Sequence, residues 1–306
     1  MDQGFSGVGF SVPQVFPDGK VDISVIRDIS LSAEQMGYDS LWTQERIIGP
    51  SVSLEPIALM SYLAAITNEV RIGVSVLVLP FRSPPQLAKT LATLDVLSHG
   101  RLSVGVGLGG SQADAKAYGI EAGRRVLRFN EALALIDALW KNETVEYEGK
   151  LYSLSGGSMA PKPIQKPRPP VWFGARADAA LQRAARSGDG WMGPGSSSAS
   201  EFKASVATLR QALEVEGRDP VHYPVSKRVY VAIDDDAGRA EHRLRDWFGH
   251  HYENAEMASR VSIWGPAQHC YEQLDALIDA GAEHLLFNPV FDYEEHLDAL
   301  SRYTRP

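Results

Sequence analysis

The sequence predicts an α/β fold, a (β/α)8 barrel with short insertions, as one domain over residues 1–306. Three observations predict it. Short apolar or β-branched runs alternate with amphipathic helical stretches along the whole chain, the signature of a parallel sheet wrapped by helices. The 306 residues fit one barrel, for which roughly 250 is typical, plus insertions. Glycine and serine gather where strands end and helices begin, the rim on which such barrels build their sites.

The elements follow in order. Val8–Val12 reads as the first strand. Asp22–Met36 is a helix, with Ile26, Ile29, Leu31 and Ala33 at helical spacing and Gly37 as its stop. Ser40–Trp42 is the second strand, and Glu55–Ile66 a helix with Pro56 in its first turn. Val70–Leu77 is a third strand whose β-branched run suits burial on both faces. Pro84–Leu97 is helical, Arg101–Val106 a fourth strand, and Arg124–Trp140 a long helix. Pro170–Phe173, Ala177–Arg186, Gly190–Met192 and Ser200–Glu216 continue the alternation, with Ser200 as a cap for the last. Lys227–Ile233 is the seventh strand, Ala267–Ala280 a helix, His284–Asn288 the eighth strand, and Tyr293–Arg302 closes the ring. Two segments interrupt the pattern: Val145–Tyr152, a hairpin turning at Glu148-Gly149-Lys150, and His250–Arg260.

Composition narrows the function. The chain is 44% hydrophobic and 22% charged, enough for a core without covalent staples. Its net charge of −8 and lack of a basic face argue against nucleic acid. Lys162, Lys166 and Arg168, interleaved with prolines, read as a solvated loop. The lone Cys270, amid apolar neighbours, reads as a bystander thiol. With neither a signal-like leader nor a long apolar run, the expected location is the cytoplasm. Asp234, Asp235 and Asp236 could suggest a metal; three consecutive residues do not converge on one ion, and a helix-capping turn is the expectation. H-E-x-x-H and G-x-S-x-G are both absent, removing support for zinc hydrolysis and a serine nucleophile turn.

The chemistry therefore belongs at the strand ends. Gly174-Ala175-Arg176 opens a helix directly, and the loop from Gly193 through Ser196 to Ser198 opens the next; their amides and the Arg176 charge suit a phosphate. Gly105–Gly110 matches G-x-G-x-x-G, but it follows the fourth strand and leads into polar residues 111–116. A glycine floor beneath a flat ring is the better reading. Glu45-Arg46, after the second strand, is an adjacent acid–base pair at the mouth and the candidate catalytic pair: Arg46 an electrostatic anchor, Glu45 a base or hydrogen-bond acceptor.

Three stretches carry a resemblance. Gly37-Tyr38-Asp39-Ser40-Leu41-Trp42, then Leu94–Arg101 followed by Gly105-Val106-Gly107, then Arg183–Trp191 are similar in kind and order to the bacterial-luciferase-like superfamily, which unites flavin monooxygenases with oxidoreductases using coenzyme F420. The resemblance implies a homodimeric barrel and a non-proline cis peptide in the third strand, for which Ser75-Val76 is the matching pair. It also implies a cofactor ring over Ser75, Val76, Gly107 and Leu108, and a phosphate near Gly174–Ala177 and Gly193–Ser197. Sugar dehydrogenases of that superfamily carry Asp-His where this chain has Glu45-Arg46, and an acid where it has Gly110. These departures favour reduction of an activated alkene or imine, or monooxygenation, over alcohol oxidation through that relay. Three functions follow as expectations: a coenzyme F420-dependent oxidoreductase acting on a small organic substrate; a reduced-FMN monooxygenase served by a separate flavin reductase; or a non-catalytic barrel that binds a cofactor.

Overall fold

The computed structural model describes residues 7–109, 113–121 and 123–304. Eight parallel strands close into a barrel: β1 (Gly7–Ser11), β2 (Ser40–Thr43), β3 (Arg71–Val78), β4 (Leu102–Gly107), β5 (Val171–Gly174), β6 (Gly190–Gly193), β7 (Val225–Ile233) and β8 (His284–Asn288). Each pairs with the next, and β8 returns to β1 with Val8 opposite Leu285 and Phe10 opposite Phe287. Around them run α1 (Ile23–Gln35), α2 (Pro56–Ile66), α3 (Pro84–Leu97), α4 (Arg125–Lys141), α5 (Asp178–Ser187), α6 (Ala199–Val215), α7 (Ala237–Tyr252), α8 (Ala267–Asp279) and α9 (Tyr293–Leu300). Every strand inferred from the sequence is present, with ends shifted by at most two residues. The hairpin is also present, Val145–Glu148 pairing antiparallel with Ser153–Gly157.

Two layers of core result from strand alternation. One face of the sheet packs against the helices. The other fills the barrel with Trp42, Trp172, Met192 and Leu286. His284 lies in this interior, its ring nitrogens 2.9 Å from Ser40 Oγ and 2.8 Å from Ser226 Oγ.

The stretches that carry the family resemblance brace the amino ends of the strands. Asp39 accepts the Val8 N–H at 2.7 Å, and Asp189 the Val171 N–H at 2.7 Å while pairing with Arg168. Asp95, fully buried, holds both the backbone and the side-chain amide of Gln165. Arg101 donates to the Ala64, Thr67, Val70 and Ser98 carbonyls, tying α2 and α3 beneath the sheet. Gly100, at φ +78, makes the turn that Arg101 needs.

Some expectations change. Lys162 and Arg168 are not in a solvated loop: Lys162 donates to the Leu139 carbonyl, and Arg168 is pinned between Asp137 and Asp189. The His250–Arg260 segment, which interrupts the alternation, is regular structure: α7 runs through Tyr252, and Glu256–Val261 is a short helix. Ser262–Gly265 then pairs as an added parallel strand with the far end of β7, an element the sequence reading lacked. The polar stretch after β4 includes a short helix, Ala113–Ala117. Asp236 caps α7 by accepting the Arg239 N–H at 3.0 Å, and Asp234 pairs with Arg239, as the capping reading requires. Among the described residues no cluster of three metal-type ligands occurs, and no helix is long and apolar enough to cross a membrane. Cys270 is buried in α8, and burial raises its thiol to about 11.

Candidate active site

The site begins at an irregularity in β3. The Ser75-Val76 peptide is cis, and the pairing of β3 with β4 shifts register between Val74 and Leu77. The bulge turns Val76 toward the rim. Glycines make room for it: an added Cβ would lie 2.7 Å from Val76 Cγ2 at Gly107, and 3.0 Å from Val76 Cγ1 at both Gly105 and Gly174. The glycine floor expected from the sequence is therefore a collar that receives Val76, and Val76 itself forms part of the surface facing the cavity.

Two lobes of cavity meet at this bulge. One, about 550 Å3, is lined by Gly107, Leu108, Gly174, Ala175, Arg176 and Ser196 among others. The second, about 710 Å3, is lined by Gln14, Gln44, Glu45, Arg46, Ile47 and Phe81 among others. Both volumes fall in the range of small-molecule sites. Ser75, Val76, Gly109, Arg228 and Tyr252 line both lobes and form their common boundary. Of the candidate cofactor residues, Gly193 alone is absent from the lining. It is buried against Phe202, which a Cβ there would approach to 2.7 Å, and Pro194 and Gly195 face the lobe in its place.

The first lobe suits an anion. Helix α5 begins at Ala177 with no side-chain cap, so its first amides keep their donor capacity at the positive end of the helix. Helix α6 begins at Ser198 with a capping box closed by Glu201. Arg176 and Arg260 pair with the two different oxygens of Glu201 at 2.6 and 2.8 Å. The Ser198 N–H, aided by both arginines, holds the Glu201 carboxyl below its usual range. Beneath the loop the buried Lys227 donates to the Pro194 and Ser197 carbonyls at 2.7 and 2.8 Å and to Ser197 Oγ at 2.9 Å. Burial, with Arg228 nearby, pushes its ammonium down to about 7. Trp191 completes the support by donating to the Ala175 carbonyl at 2.9 Å.

In the second lobe the adjacent pair Glu45-Arg46 divides. Glu45 accepts the Val78 N–H and the Arg82 guanidinium, and Arg82 also reaches Glu55 at 2.8 Å. Both Glu45 oxygens are thus occupied, and the carboxylate anchors the end of β3. Arg46 donates to the His251 carbonyl and lies over the Tyr252 ring at 5.7 Å. Burial, then Arg46 and Arg228, push the His251 imidazole down to about 4, so it is neutral at pH 7. Gln14 and Gln44 fix the lobe's wall: Gln14 receives the Gln44 N–H at 2.7 Å, and Gln44 donates to Ser11 Oγ at 2.7 Å. Gly110, where the resemblance expects an acid, lies outside the described residues.

Sequence reasoning missed Lys227, Arg228, Tyr230 and Tyr252. A signal was available. Along β7, Ser226, Arg228 and Tyr230 alternate with Lys227 and Val229, so the first three share the barrel-facing side. Tyr252, at the end of α7, carried no comparable pattern.

These features define the class: a (β/α)8 barrel with a two-lobed ligand cavity at the carboxyl ends of its strands. The chain belongs to the luciferase-like monooxygenase family, a family of oxidoreductase enzymes, whose model matches residues 8–284. It is 30% identical over 235 residues to an F420-dependent glucose-6-phosphate dehydrogenase of Kineococcus radiotolerans, covering 72% of this chain and 68% of that protein. It is 29% identical over 306 residues to a protein of the same name from Microbacterium testaceum, covering 90% and 82%. The fold matches an F420-dependent secondary alcohol dehydrogenase solved with an F420-acetone adduct, with a TM-score of 0.85, 19% identity and coverage of 98% of this chain and 99% of the other. At that identity the likeness speaks to fold alone.

Proposed function

We propose that this protein is an oxidoreductase that uses coenzyme F420 to move hydride to or from a small organic substrate. The observation that carries the reading is the two-lobed cavity, with an anion cradle in one lobe and the Ser75-Val76 bulge at the boundary with the other. The names of the two bacterial relatives support the choice of cofactor.

The residues fit the group. The α5 amides, Arg176 and the loop from Pro194 to Ser197 would hold the phosphate, with Lys227 stiffening that loop from below. Val76, Gly107 and Leu108 would support the ring. When bound, the deazaflavin supplies or takes up hydride. The chain's own work is orientation and exclusion of water: Val76 and Met257 present apolar surface to the first lobe, and Ile47 and Phe81 to the second. Glu45, locked to Arg82, acts in this reading by positioning the end of β3, and Arg46 by positioning Tyr252.

The test is a titration of the purified protein with coenzyme F420 and separately with FMN, followed by tryptophan quenching; Trp42 lies in the barrel interior and Trp191 supports the Ala175 carbonyl. Quenching by coenzyme F420 at low micromolar concentration, with FMN at least tenfold weaker, is expected. Preference for FMN, with oxygen consumed once a flavin reductase supplies its reduced form, would replace the proposal with the monooxygenase reading. Binding of neither would leave a barrel without cofactor chemistry.

A further inference from the structure

Where the two lobes meet, three polar side chains from two elements form a closed cluster. From β7, Arg228 donates through Nε to Asn288 Oδ1 at 2.9 Å and through Nη1 to the Ser75 carbonyl of the bulge at 3.3 Å. Its remaining terminal nitrogen reaches the Tyr230 hydroxyl, and the Tyr252 hydroxyl at 3.4 Å. The two hydroxyls are 2.6 Å apart. No carboxylate pairs with Arg228 among the described residues, so its charge is balanced by hydroxyl and carbonyl oxygens alone. Such an arrangement stabilises negative charge that develops on a neighbouring oxygen.

The three differ in access. Tyr230 is 1% exposed and packed against Trp247 and Phe248. Tyr252 is half-buried and lines both lobes. Other groups facing Tyr252 are poor proton donors. Arg46 stays protonated and is committed to a backbone carbonyl. His251 is neutral, with Nδ1 3.0 Å from Ser51 Oγ. Glu253, the next residue along, is exposed in a left-handed turn at the rim of the second lobe.

Building on the proposed hydride transfer, we propose that Tyr252 is the proton donor of this site for a carbonyl substrate in the second lobe, with Arg228 and Tyr230 as the residues that position its hydroxyl. In the reducing direction the substrate's carbonyl carbon receives hydride from the reduced deazaflavin. The carbonyl π pair moves onto oxygen, and that oxygen takes the Tyr252 proton, giving the alcohol. Two electrons pass from the cofactor to the substrate. The phenolate left on Tyr252 faces the Arg228 guanidinium and regains a proton from water in the open lobe. Oxidation of an alcohol runs through the same atoms in reverse. The cluster would thereby supply the proton transfer for which the chain lacks an Asp-His pair after β2.

The test uses 4-nitrophenolate as the probe, an oxyanion whose absorbance reports its own ionisation, with the full-length protein free of cofactor. Wild type is expected to bind the phenolate and to lower the ionisation midpoint of the bound probe. Tyr252→Phe keeps the ring and its contacts, so the melting temperature should hold. Its phenolate affinity should fall at least tenfold, and the shift in midpoint should be lost. Tyr230→Phe should weaken binding by a smaller factor. In the same preparations wild type should bind coenzyme F420, read by quenching, which tests the cofactor reading separately from the Tyr252→Phe comparison. Equal phenolate binding by Tyr252→Phe and wild type would overturn the proposal, as would no binding by wild type. Failure of wild type to bind coenzyme F420, with phenolate binding still dependent on Tyr252, would count against the proposed cofactor and leave the donor assignment of Tyr252 standing.

Discussion

Val76 and Gly107 carry a prediction that belongs to single residues. A methyl group at residue 107 would meet Val76 Cγ2 at 2.7 Å, well inside van der Waals contact. Overpacking of this kind costs about 1–3 kcal/mol. Gly107→Ala should therefore lower stability in urea denaturation and weaken coenzyme F420 by more than tenfold, because Val76 must move into the cavity. Adding Val76→Ala to the same chain should restore most of both losses. Independent, additive effects of the two substitutions would show that the collar does not exist. The glycine pattern was legible in the sequence, and so was the Ser75-Val76 pair through the family resemblance. That the glycines receive a valine was not, because it depends on the bulge aiming that side chain. Glu45 and Arg46 were legible as polar residues at the mouth, but the partner of Glu45, Arg82, is 37 residues away and reaches it only through the fold. Lys227 and Arg228 begin the seventh strand as inferred from the sequence, which alone does not show which face each charge takes. Their alternation sends one beneath the Pro194–Ser197 loop and the other to the bulge.

At the scale of elements, α5 offers a test in which stability and binding move in opposite directions. Its N-cap position holds Ala177 in an extended conformation, φ −76 and ψ 147, the geometry an aspartate cap adopts. Ala177→Asp should stabilise the protein by about 1 kcal/mol through the capping hydrogen bond and the helix dipole. The same carboxylate would occupy the amides and repel a phosphate, so coenzyme F420 should bind at least tenfold more weakly. Unchanged affinity would remove the phosphate from the start of α5. The strands and helices were legible largely through their boundary signals, such as Gly37 after α1 or the proline that begins α2. The added strand Ser262–Gly265 was not, since four residues beside a helix carry no usable period and its existence rests on pairing with the far end of β7.

For the molecule as a whole, buried histidines contribute to the response to acid, and burial lowers His296 as well as His284 and His251. Burial pushes His284 down to about 3, and burial with Arg46 and Arg228 pushes His251 down to about 4, against an ordinary value of 6.5. Below pH 6.5 the unfolded chain takes up protons that the folded barrel refuses. Their contribution to stability is thus whole above pH 6.5 and declines as the pH falls toward 4, by about 2 kcal/mol per group at pH 5. Urea denaturation at pH 7.5 and pH 5 should show this loss, and His251→Gln should make it measurably smaller. A pH-independent stability over that interval would mean that neither imidazole is held neutral by the fold.

In the proposed reading the barrel's rim divides into an anion-binding lobe and a substrate lobe that meet at the Ser75-Val76 bulge. A crystal structure of the protein with coenzyme F420 tests it most directly. The account predicts the phosphate between the start of α5 and the Pro194–Ser198 loop, with the ring against Val76 and one of its faces open to Tyr252. Phosphate density in the Gln14–Arg46 lobe, or a ring turned away from the bulge, would contradict it.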